Sequence, residues 1–118
     1  MLDYQFELPY PPTLNHYHSV IGRRKRLSSE GKKYKEDCAK WLKRQMLYGE
    51  KLDGRLIVHI RLHAKTNQKR DLDNFLKAPL DALSESKFWL DDSQIDKLTI
   101  TRGEKMKDNP KLIVSVEC

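Results

Sequence analysis

Alternating apolar and polar positions predict four β-strands along the chain. Residues 4–8 alternate and are followed by prolines, which predicts a short first strand. Residues 56–63 show the clearest alternation, and residues 95–102 and 112–116 predict two closing strands. The stretch 103–110, which begins with glycine and ends with proline, is typical of a turn between the last two strands.

A first helical periodicity follows a pair of serines. Ser28 or Ser29 is suited to cap a helix that runs to about Tyr48, and Gly49 is suited to end it. The apolar face of this helix consists of Tyr34, Cys38, Trp41, Leu42 and Gln45 or Met46.

The second helical stretch, residues 73–85, contains a proline. Pro79 removes one backbone hydrogen bond, so this helix is either kinked or divided into two short pieces. The stretch 9–27 predicts a long loop, and such loops are usually functional or mobile. The order β-α-β-α-β-β therefore predicts an α+β fold, a mixed sheet with helices packed on it, in a single domain over residues 1–118.

The charge of the chain indicates a polyanionic partner. Lys and Arg number 23 against 17 Asp and Glu, which gives a formal net charge of +6. Between Arg23 and Lys35 lie seven basic residues and one acidic residue, Glu30. A basic surface without a ligand is the alternative, but this clustering favours nucleic acid.

The cysteines and the hydropathy exclude several other classes of protein. Neither Cys38 nor Cys118 belongs to a CxxC pair, which excludes a zinc ribbon and argues against a disulfide framework. Cys38 falls on the apolar face of the first helix and is expected to be a small buried hydrophobe. With no secretory signal and no apolar run of about 18 residues, we expect a cytoplasmic protein without a membrane partner.

The four histidines do not predict a zinc site. His59 and His63 fall on one face of a strand, but about 13 Å apart, too far to share one ion. His16 and His18 lie in the predicted loop, where His16 and Tyr17 are expected to contact DNA or to cover a dimer interface.

Two pairs of carboxylates interrupt this basic sequence. Asp71 and Asp73 follow the basic stretch 65–70, and Asp91 and Asp92 come about twenty residues later. Clustered carboxylates cost free energy unless a positive charge lies among them. The pattern therefore predicts an enzyme that holds Mg²⁺ against a phosphodiester while Lys and Arg bind the nucleic acid.

The spacing of the first pair sets a geometric condition. Residues two apart share a face in an extended segment and not in a helix, so Asp71 and Asp73 share a metal ion only if the chain is still extended. Leu72 would then point into the core. Lys77, one helical turn after Asp73, could stabilise charge that develops at the phosphate, or could form an ordinary i,i+4 salt bridge.

Asp91 and Asp92 must lie close to Asp71 and Asp73 in the folded chain if the four aspartates are to form one site. A helix over residues 73–85 is about 20 Å long, and residues 86–92 span about 23 Å when extended, so the return is just possible. Otherwise the third carboxylate comes from a partner subunit, or the aspartates form no single site. In that case Asp71 or Asp73 would cap a helix and residues 91–93 would form a turn.

Several motifs in the same order carry a resemblance to a known family. They are LPYPPTLN at 8–15, SSEG at 28–31 with Tyr34, RDLDN at 70–74, Lys77, DAL at 81–83 and WLDDSQI at 89–95. Together they resemble the RusA family of Holliday junction resolvases, along almost the whole chain. Two departures are Thr13, which replaces a serine of the loop motif, and Pro79, which lies where the helix of the family is usually unbroken.

The resemblance implies a homodimeric endodeoxyribonuclease that resolves four-way DNA junctions by paired symmetric nicks, in recombination and repair. It implies dependence on Mg²⁺, with Mn²⁺ as a substitute, and no small-molecule cofactor. The metal ligands would be Asp71, Asp73 and Asp92, with Lys77 also catalytic and Asp91 a structural neighbour. The residues expected to bind DNA are Arg23, Arg24, Lys25, Arg26, Lys65, Lys69, Arg70 and Asn15.

Two other functions fit part of the pattern. A non-catalytic DNA-binding or architectural protein would explain the charge but not the aspartates, which weaken binding beside phosphates. A nuclease for other branched DNA or plain duplex would share the same residues. The number of metal ions in each site is left open by three aspartates.

Overall fold

The protein is described by a computed structural model over residues 3–118, without the side chain of Ile21. The strands are β1 (Asp3–Pro9), β2 (His18–Ile21), β3 (Arg24–Leu27), β4 (Leu56–His63), β5 (Ile95–Arg102) and β6 (Lys111–Glu117). The helices are α1 (Leu14–Tyr17), α2 (Ser29–Arg44) and α3 (Lys77–Glu85), with 3₁₀ turns at Leu72–Phe75 and Asp92–Gln94.

Four strands form one mixed sheet in the order β1-β6-β4-β5. β6 pairs antiparallel with β1 and with β4, whereas β4 and β5 are parallel. They are parallel because α3 carries the chain from the end of β4 back towards the start of β5, which is the connection that parallel neighbours require. The prediction of an α+β domain with a mixed sheet and helices is confirmed.

The helices cover one face of the sheet. On β4 the side chains of Leu56, Val58, Ile60 and Leu62 are buried, as their alternation predicts. α2 packs against β1 and α3, and its Tyr34, Cys38 and Leu42 belong to the same hydrophobic cluster as these β4 residues. Cys38 is fully buried, and this burial raises the pKa of its thiol to about 12, so it behaves as the expected small hydrophobe.

Both ends of α2 have a local cause. Ser28 is the N-cap, because its Oγ accepts a hydrogen bond from the Gly31 N–H at 3.0 Å. The helix ends at Arg44, earlier than the predicted Tyr48, because Met46 takes a left-handed backbone conformation with φ 63°. Gly49, with φ 73°, lies in the turn that follows rather than at the helix end.

Replacing Ser28 with Ala is expected to lower the free energy of unfolding by about 1–2 kcal/mol. The substitution removes the cap of α2 and also the hydrogen bonds that Oγ donates to the carbonyls of His16 and Tyr17. Urea unfolding monitored by circular dichroism measures the loss. The matched control is Ser29→Ala, since Ser29 is exposed and its side chain has no hydrogen bond within residues 3–118. Equal stabilities of the two variants would contradict the assignment of the cap.

The stretch 9–27, which the sequence predicted to be a loop, contains ordered elements. α1 occupies Leu14–Tyr17, and β2 and β3 form a separate two-stranded hairpin that turns at Gly22, with φ 64°. The strands escaped the sequence reading because they have only four residues each, and β3 is basic and mostly exposed instead of alternating. The predicted element order was therefore incomplete.

The second predicted helix is divided, which is one of the two alternatives that Pro79 allowed. A 3₁₀ turn covers Leu72–Phe75, and α3 begins at Lys77. Pro79 is the third residue of α3, within the first turn, where a backbone N–H has no partner inside the helix. The proline is therefore accommodated without a kink.

Within residues 3–118, none of the helices has the length and apolar character that crossing a membrane would require.

Candidate active site

The segment with the first two aspartates leaves the sheet at the end of β4. Asp71 has extended backbone, with φ −85° and ψ 113°, and the 3₁₀ turn starts at the next residue. Leu72 is partly buried against the core and Phe75 is buried, which fixes the turn on the sheet. Leu72 thus packs inward as expected, but Asp73 lies inside the turn, so the extended backbone that the sequence reading required for a shared metal ion ends at Asp71. The condition is not met over both residues, and a common ion at Asp71 and Asp73 stays a prediction.

The carboxylates of Asp71 and Asp73 are exposed and unengaged. Neither forms a hydrogen bond or ion pair with another side chain in the part of the chain that is described. Asp71 stands at the N-cap of the 3₁₀ turn, but its side chain caps no backbone N–H. The helix-cap alternative therefore does not account for Asp71, and both groups present free oxygen ligands of the kind that Mg²⁺ prefers.

The second pair of aspartates is divided between two roles. The side chain of Asp91 accepts a hydrogen bond from the Ser93 N–H at 2.9 Å, and Gln94 Oε1 accepts one from the Asp91 N–H at 2.8 Å. This capping box lowers the pKa of Asp91, chiefly through the hydrogen bond to Ser93. The turn alternative therefore accounts for Asp91. Asp92 is exposed and has no side-chain partner among residues 3–118.

The two aspartate pairs flank opposite ends of β5. Gln94 Nε2 donates to the Leu52 carbonyl at 3.0 Å, which places the Asp92 turn beside the start of β4. Arg102, at the end of β5, donates to the Arg70 carbonyl at 2.8 Å, which places Asp71 at the other end. Eight residues of strand span about 23 Å. No group of three or more His, Cys, Asp or Glu side chains within residues 3–118 is arranged to hold a metal ion.

Lys77 is held by a partner that the sequence reading had not assigned. Its Nζ lies 3.1 Å from Asp81 Oδ1, and Asp81 Oδ2 accepts a hydrogen bond from the Tyr17 hydroxyl at 2.9 Å. The i,i+4 pair is therefore made with Asp81 and not with Asp73, which belongs to the separate 3₁₀ turn. Lys77 is about half exposed, so this pair leaves its ammonium group accessible.

Tyr17 is a structural residue, contrary to the expectation that it contacts DNA or covers a dimer interface. Its side chain is fully buried. Burial, followed by the hydrogen bond to Asp81, raises the pKa of its hydroxyl well above the ordinary value. Tyr17 thereby ties α1 to α3 at the position of Lys77.

The residues expected to bind DNA form two groups, all exposed except Arg70, which is partly buried. Arg23, Arg24, Lys25 and Arg26 lie in the turn and second strand of the hairpin. Lys65, Lys69 and Arg70 lie in the connection after β4, and Asn15 is exposed on α1. α1 packs against both the 3₁₀ turn of Asp73 and α3. The hairpin that carries the first group therefore follows directly after a helix that contacts the 3₁₀ turn of Asp73. The role of this group in DNA binding stays a prediction.

Three of the four histidines have a hydrogen-bonding partner, whereas the buried Nδ1 of His18 has none within residues 3–118. His59 Nε2 lies 2.9 Å from Thr101 Oγ1, and His63 Nδ1 lies 2.8 Å from the Glu104 carbonyl. His16 Nδ1 lies 3.2 Å from Thr13 Oγ1.

Two residues of this site were missed by the sequence reading. Asp81 lies four residues after Lys77, a spacing that places both side chains on one face of a helix and would have paired them. Arg102 had no comparable signal, because its contact with Arg70 depends on the parallel pairing of β4 with β5.

The chain was compared with known families and curated proteins. The family model described as "Endodeoxyribonuclease RusA" matches residues 9–117. A relative from Enterobacteria phage HK97, named "Crossover junction endodeoxyribonuclease rusA", is 38% identical over 110 residues, which cover 90% of this chain and 88% of the relative. A protein of the same name from Escherichia coli (strain K12) is 35% identical over 112 residues, which cover 91% and 92%. These matches confirm the resemblance carried by the motifs and the prediction of an endonuclease.

Proposed function

Because the chain belongs to the RusA family of endodeoxyribonucleases, we propose that it cleaves branched DNA and that its substrate is the four-way junction. Relatives from Escherichia coli and phage HK97 carry the name of crossover junction endodeoxyribonuclease. The expected reaction is a pair of symmetric nicks that resolves the junction in recombination and repair.

One observation carries the proposal of a metal-dependent nuclease. Asp71, Asp73 and Asp92 are exposed carboxylates that engage no other side chain within residues 3–118, in a chain whose net charge is +6. Other carboxylates of the chain, such as Glu30 and Glu104, also form no ion pair within residues 3–118, so the lack of a partner is not what distinguishes these three. They are distinguished by their place in the RDLDN and WLDDSQI segments, on which the resemblance to the RusA family rests. Hard oxygen donors select Mg²⁺, with Mn²⁺ as a substitute.

The active protein is proposed to be a homodimer whose sites are shared between subunits. Asp71 and Asp73 lie at one end of β5 and Asp92 at the other, so one chain supplies two carboxylates to each site. In a two-fold symmetric dimer, the partner subunit's Asp92 would complete the pair from the first chain, and the exchange would be reciprocal. The two equivalent sites would then match the approximate two-fold symmetry of a four-way junction.

The chain's own residues have separable roles in this reaction. Asp71 and Asp73 would hold the metal ion, together with the partner subunit's Asp92. The ion would supply Lewis-acid stabilisation of charge at the scissile phosphate. Lys77 would bind a non-bridging oxygen of that phosphate, and its positive charge would stabilise the transition state. Asp81 and Tyr17 would keep the Lys77 ammonium at the start of α3 until DNA arrives.

The basic residues would position the substrate. Arg23, Arg24, Lys25 and Arg26 of the hairpin would follow the backbone of one arm, with Asn15 beside them. Lys65, Lys69 and Arg70 would contact phosphates near the cut. Contacts of this kind read the shape of the junction and not its base sequence.

The proposal is tested by cleavage of a mobile synthetic four-way junction in Mg²⁺, in Mn²⁺ and in EDTA, beside a linear duplex of equal length. We expect paired symmetric nicks that require the divalent ion and that are absent from the duplex. Equal cleavage of the duplex would contradict junction selectivity, and cleavage in EDTA would contradict the metal site. Tight binding without any cleavage would support the alternative of a non-catalytic DNA-binding protein.

A further inference from the structure

A cavity lies at the carboxyl ends of the parallel strands β4 and β5, beside the segment that carries Asp71. Its volume is about 310 Å³. Leu62 and Ala64 lie against it, and the rest of its lining comes from the connection after β4, from the last residue of β5 and from the residues that follow it. Connections at the carboxyl ends of parallel strands are where open α/β sheets bind their ligands.

The lining of this cavity is cationic, so we name it the basic cavity. Its charged residues are Lys69, Arg70, Arg102 and Lys105, and none of its lining residues is acidic. None of the four forms an ion pair within the described residues 3–118. Four positive charges that surround one cavity repel each other, and an anion among them would remove this cost.

Arg70 is fixed in place without losing its charge. Its Nη1 donates to the carbonyls of Thr66 and Gln68, at 2.9 and 2.8 Å, and its Nη2 donates to Thr66 Oγ1 at 2.7 Å. Burial raises the pKa of the Tyr10 hydroxyl, and the nearby Arg70 guanidinium opposes that rise. All these partners are neutral, so the guanidinium is oriented in advance but not neutralised.

Arg102 has most of its hydrogen-bonding capacity free. A guanidinium has five N–H donors, and Arg102 uses one of them, on Nη2, for the Arg70 carbonyl. The other donors have no acceptor in the part of the chain that is described. A guanidinium that is held at one corner and open at the others suits the paired oxygens of a phosphate.

We propose that the basic cavity binds one phosphate of the DNA backbone, a neighbour of the phosphate that is cut. Arg102 and Lys105 would be its ligands, together with the expected DNA-binding residues Lys69 and Arg70. Arg70 precedes Asp71 in the chain, so a phosphate held by Arg70 fixes the distance of the strand from the metal ligands. The cavity would thereby select which phosphodiester reaches the metal. This inference rests on the proposed nuclease function and names a contact of that same site.

The first test measures junction binding in EDTA, where no cleavage occurs, over a series of salt concentrations. Lys105→Ala and Arg102→Ala are each expected to weaken binding about three- to tenfold and to lower the slope of log K against log salt by about 0.9. Lys105→Ala is the safer variant, because the Lys105 side chain has no hydrogen bond or ion pair within residues 3–118. Arg102→Lys should recover part of the lost affinity, since lysine keeps the positive charge but lacks the forked guanidinium that can bind two phosphate oxygens at once.

The matched control is Arg44→Ala, which removes one positive charge from outside the lining of the cavity. Arg44 lies at the end of α2, where its guanidinium stacks on Trp41. Its affinity and salt slope should equal those of the wild type. If Arg44→Ala and Lys105→Ala behave alike, the contribution is general electrostatic attraction and the basic cavity binds no particular phosphate.

A second test identifies the phosphate. Junctions that each carry one neutral methylphosphonate near the cut are compared for the wild type and Arg102→Ala. At one position, neutralisation should weaken the wild type and leave Arg102→Ala unchanged, because the contact is already lost. If the loss of affinity caused by the methylphosphonate and the loss caused by Arg102→Ala are additive at every position, the proposal is overturned. A cavity that binds only free phosphate would make the two proteins equally sensitive at all positions, which overturns it as well.

The outcome for the cavity can be separated from the outcome for the nuclease. If the wild type cuts junctions while Lys105→Ala and Arg102→Ala bind normally, the cavity proposal fails and the nuclease stands. If the wild type binds without cutting while these variants lose affinity, the cavity contact stands and the nuclease fails.

Discussion

A mixture of the Asp71→Asn and Asp92→Asn variants is expected to nick four-way junctions that neither variant nicks alone. Each substitution removes a proposed metal ligand and should lower cleavage by on the order of 10²–10³-fold. In a mixed dimer, the chain with intact Asp71 meets a partner with intact Asp92. One complete site is formed, and the other site carries both substitutions.

The expected size and pattern of the recovery follow from counting. Random exchange of subunits makes about half of the dimers mixed, and each mixed dimer has one active site of two, so about a quarter of wild-type sites return. A single site makes a single nick, so denaturing gels should show cleaved strands while native gels show few resolved junctions. A site built within one chain would give no recovery at all, because both kinds of site would remain defective.

Asp91→Asn is the control for this experiment. Like the other two variants, it replaces one carboxylate by a neutral amide, here at the residue next to Asp92. An asparagine oxygen can still accept the hydrogen bond from the Ser93 N–H. Cleavage should equal that of the wild type, and all three variants should bind junctions at least as tightly as it does. Normal cleavage by Asp71→Asn would show that Asp71 is not a metal ligand. Sedimentation of the protein as a monomer at micromolar concentration would contradict the proposed dimer.

The features that the sequence predicted correctly have a period or a local signature. β4 was predicted from its alternation, and the cap was predicted at Ser28 or Ser29 before a helical period, of which the structure selects Ser28. Pro79 limited its segment to two possibilities, and the structure selects the divided form. These signals are local because each is set by residues within one or two turns of the chain.

The features that the sequence could not predict depend on contacts between distant residues. β3 is exposed except at Leu27, so it shows no alternation, and β2 has only four residues. That Asp71 and Asp92 lie beyond opposite ends of β5 became visible only with the parallel pairing of β4 and β5. The number of residues between the two aspartate pairs allowed them to meet within one chain. That number sets only the longest distance that the segment can span, and not the direction in which it runs.

Replacing Trp89 with Ala is expected to be the most destabilising substitution considered, with a loss of about 3–5 kcal/mol in the free energy of unfolding. Trp89 is fully buried in the main hydrophobic cluster, next to Phe88. Its Nε1–H donates to Ser84 Oγ at 2.7 Å, so truncation leaves both a cavity and an unpaired hydroxyl. The loss is a large fraction of the 5–15 kcal/mol that is typical of small domains.

Trp89→Phe keeps the prediction testable if the alanine variant does not fold. It preserves most of the buried area but removes the indole N–H, so a loss of about 1–2 kcal/mol is expected. The control is Trp41→Phe, since Trp41 is only partly buried and should cost less than about 1 kcal/mol. Urea unfolding of both variants gives the comparison, and in each the remaining tryptophan reports the transition by fluorescence. Equal losses would contradict the central role of Trp89.

The position of Trp89 connects this stability to the proposed chemistry. Its backbone forms a bridge with Leu52, and only Leu90 and Asp91 separate it from Asp92. Asp92 itself is exposed and its side chain forms no hydrogen bond or ion pair within residues 3–118, so its position is set by the residues that anchor the chain around it. We therefore expect Trp89→Phe to lower junction cleavage several-fold while junction binding is kept. Trp41→Phe should leave both unchanged, and unchanged cleavage by Trp89→Phe would show that the capping box at Asp91 suffices to position Asp92.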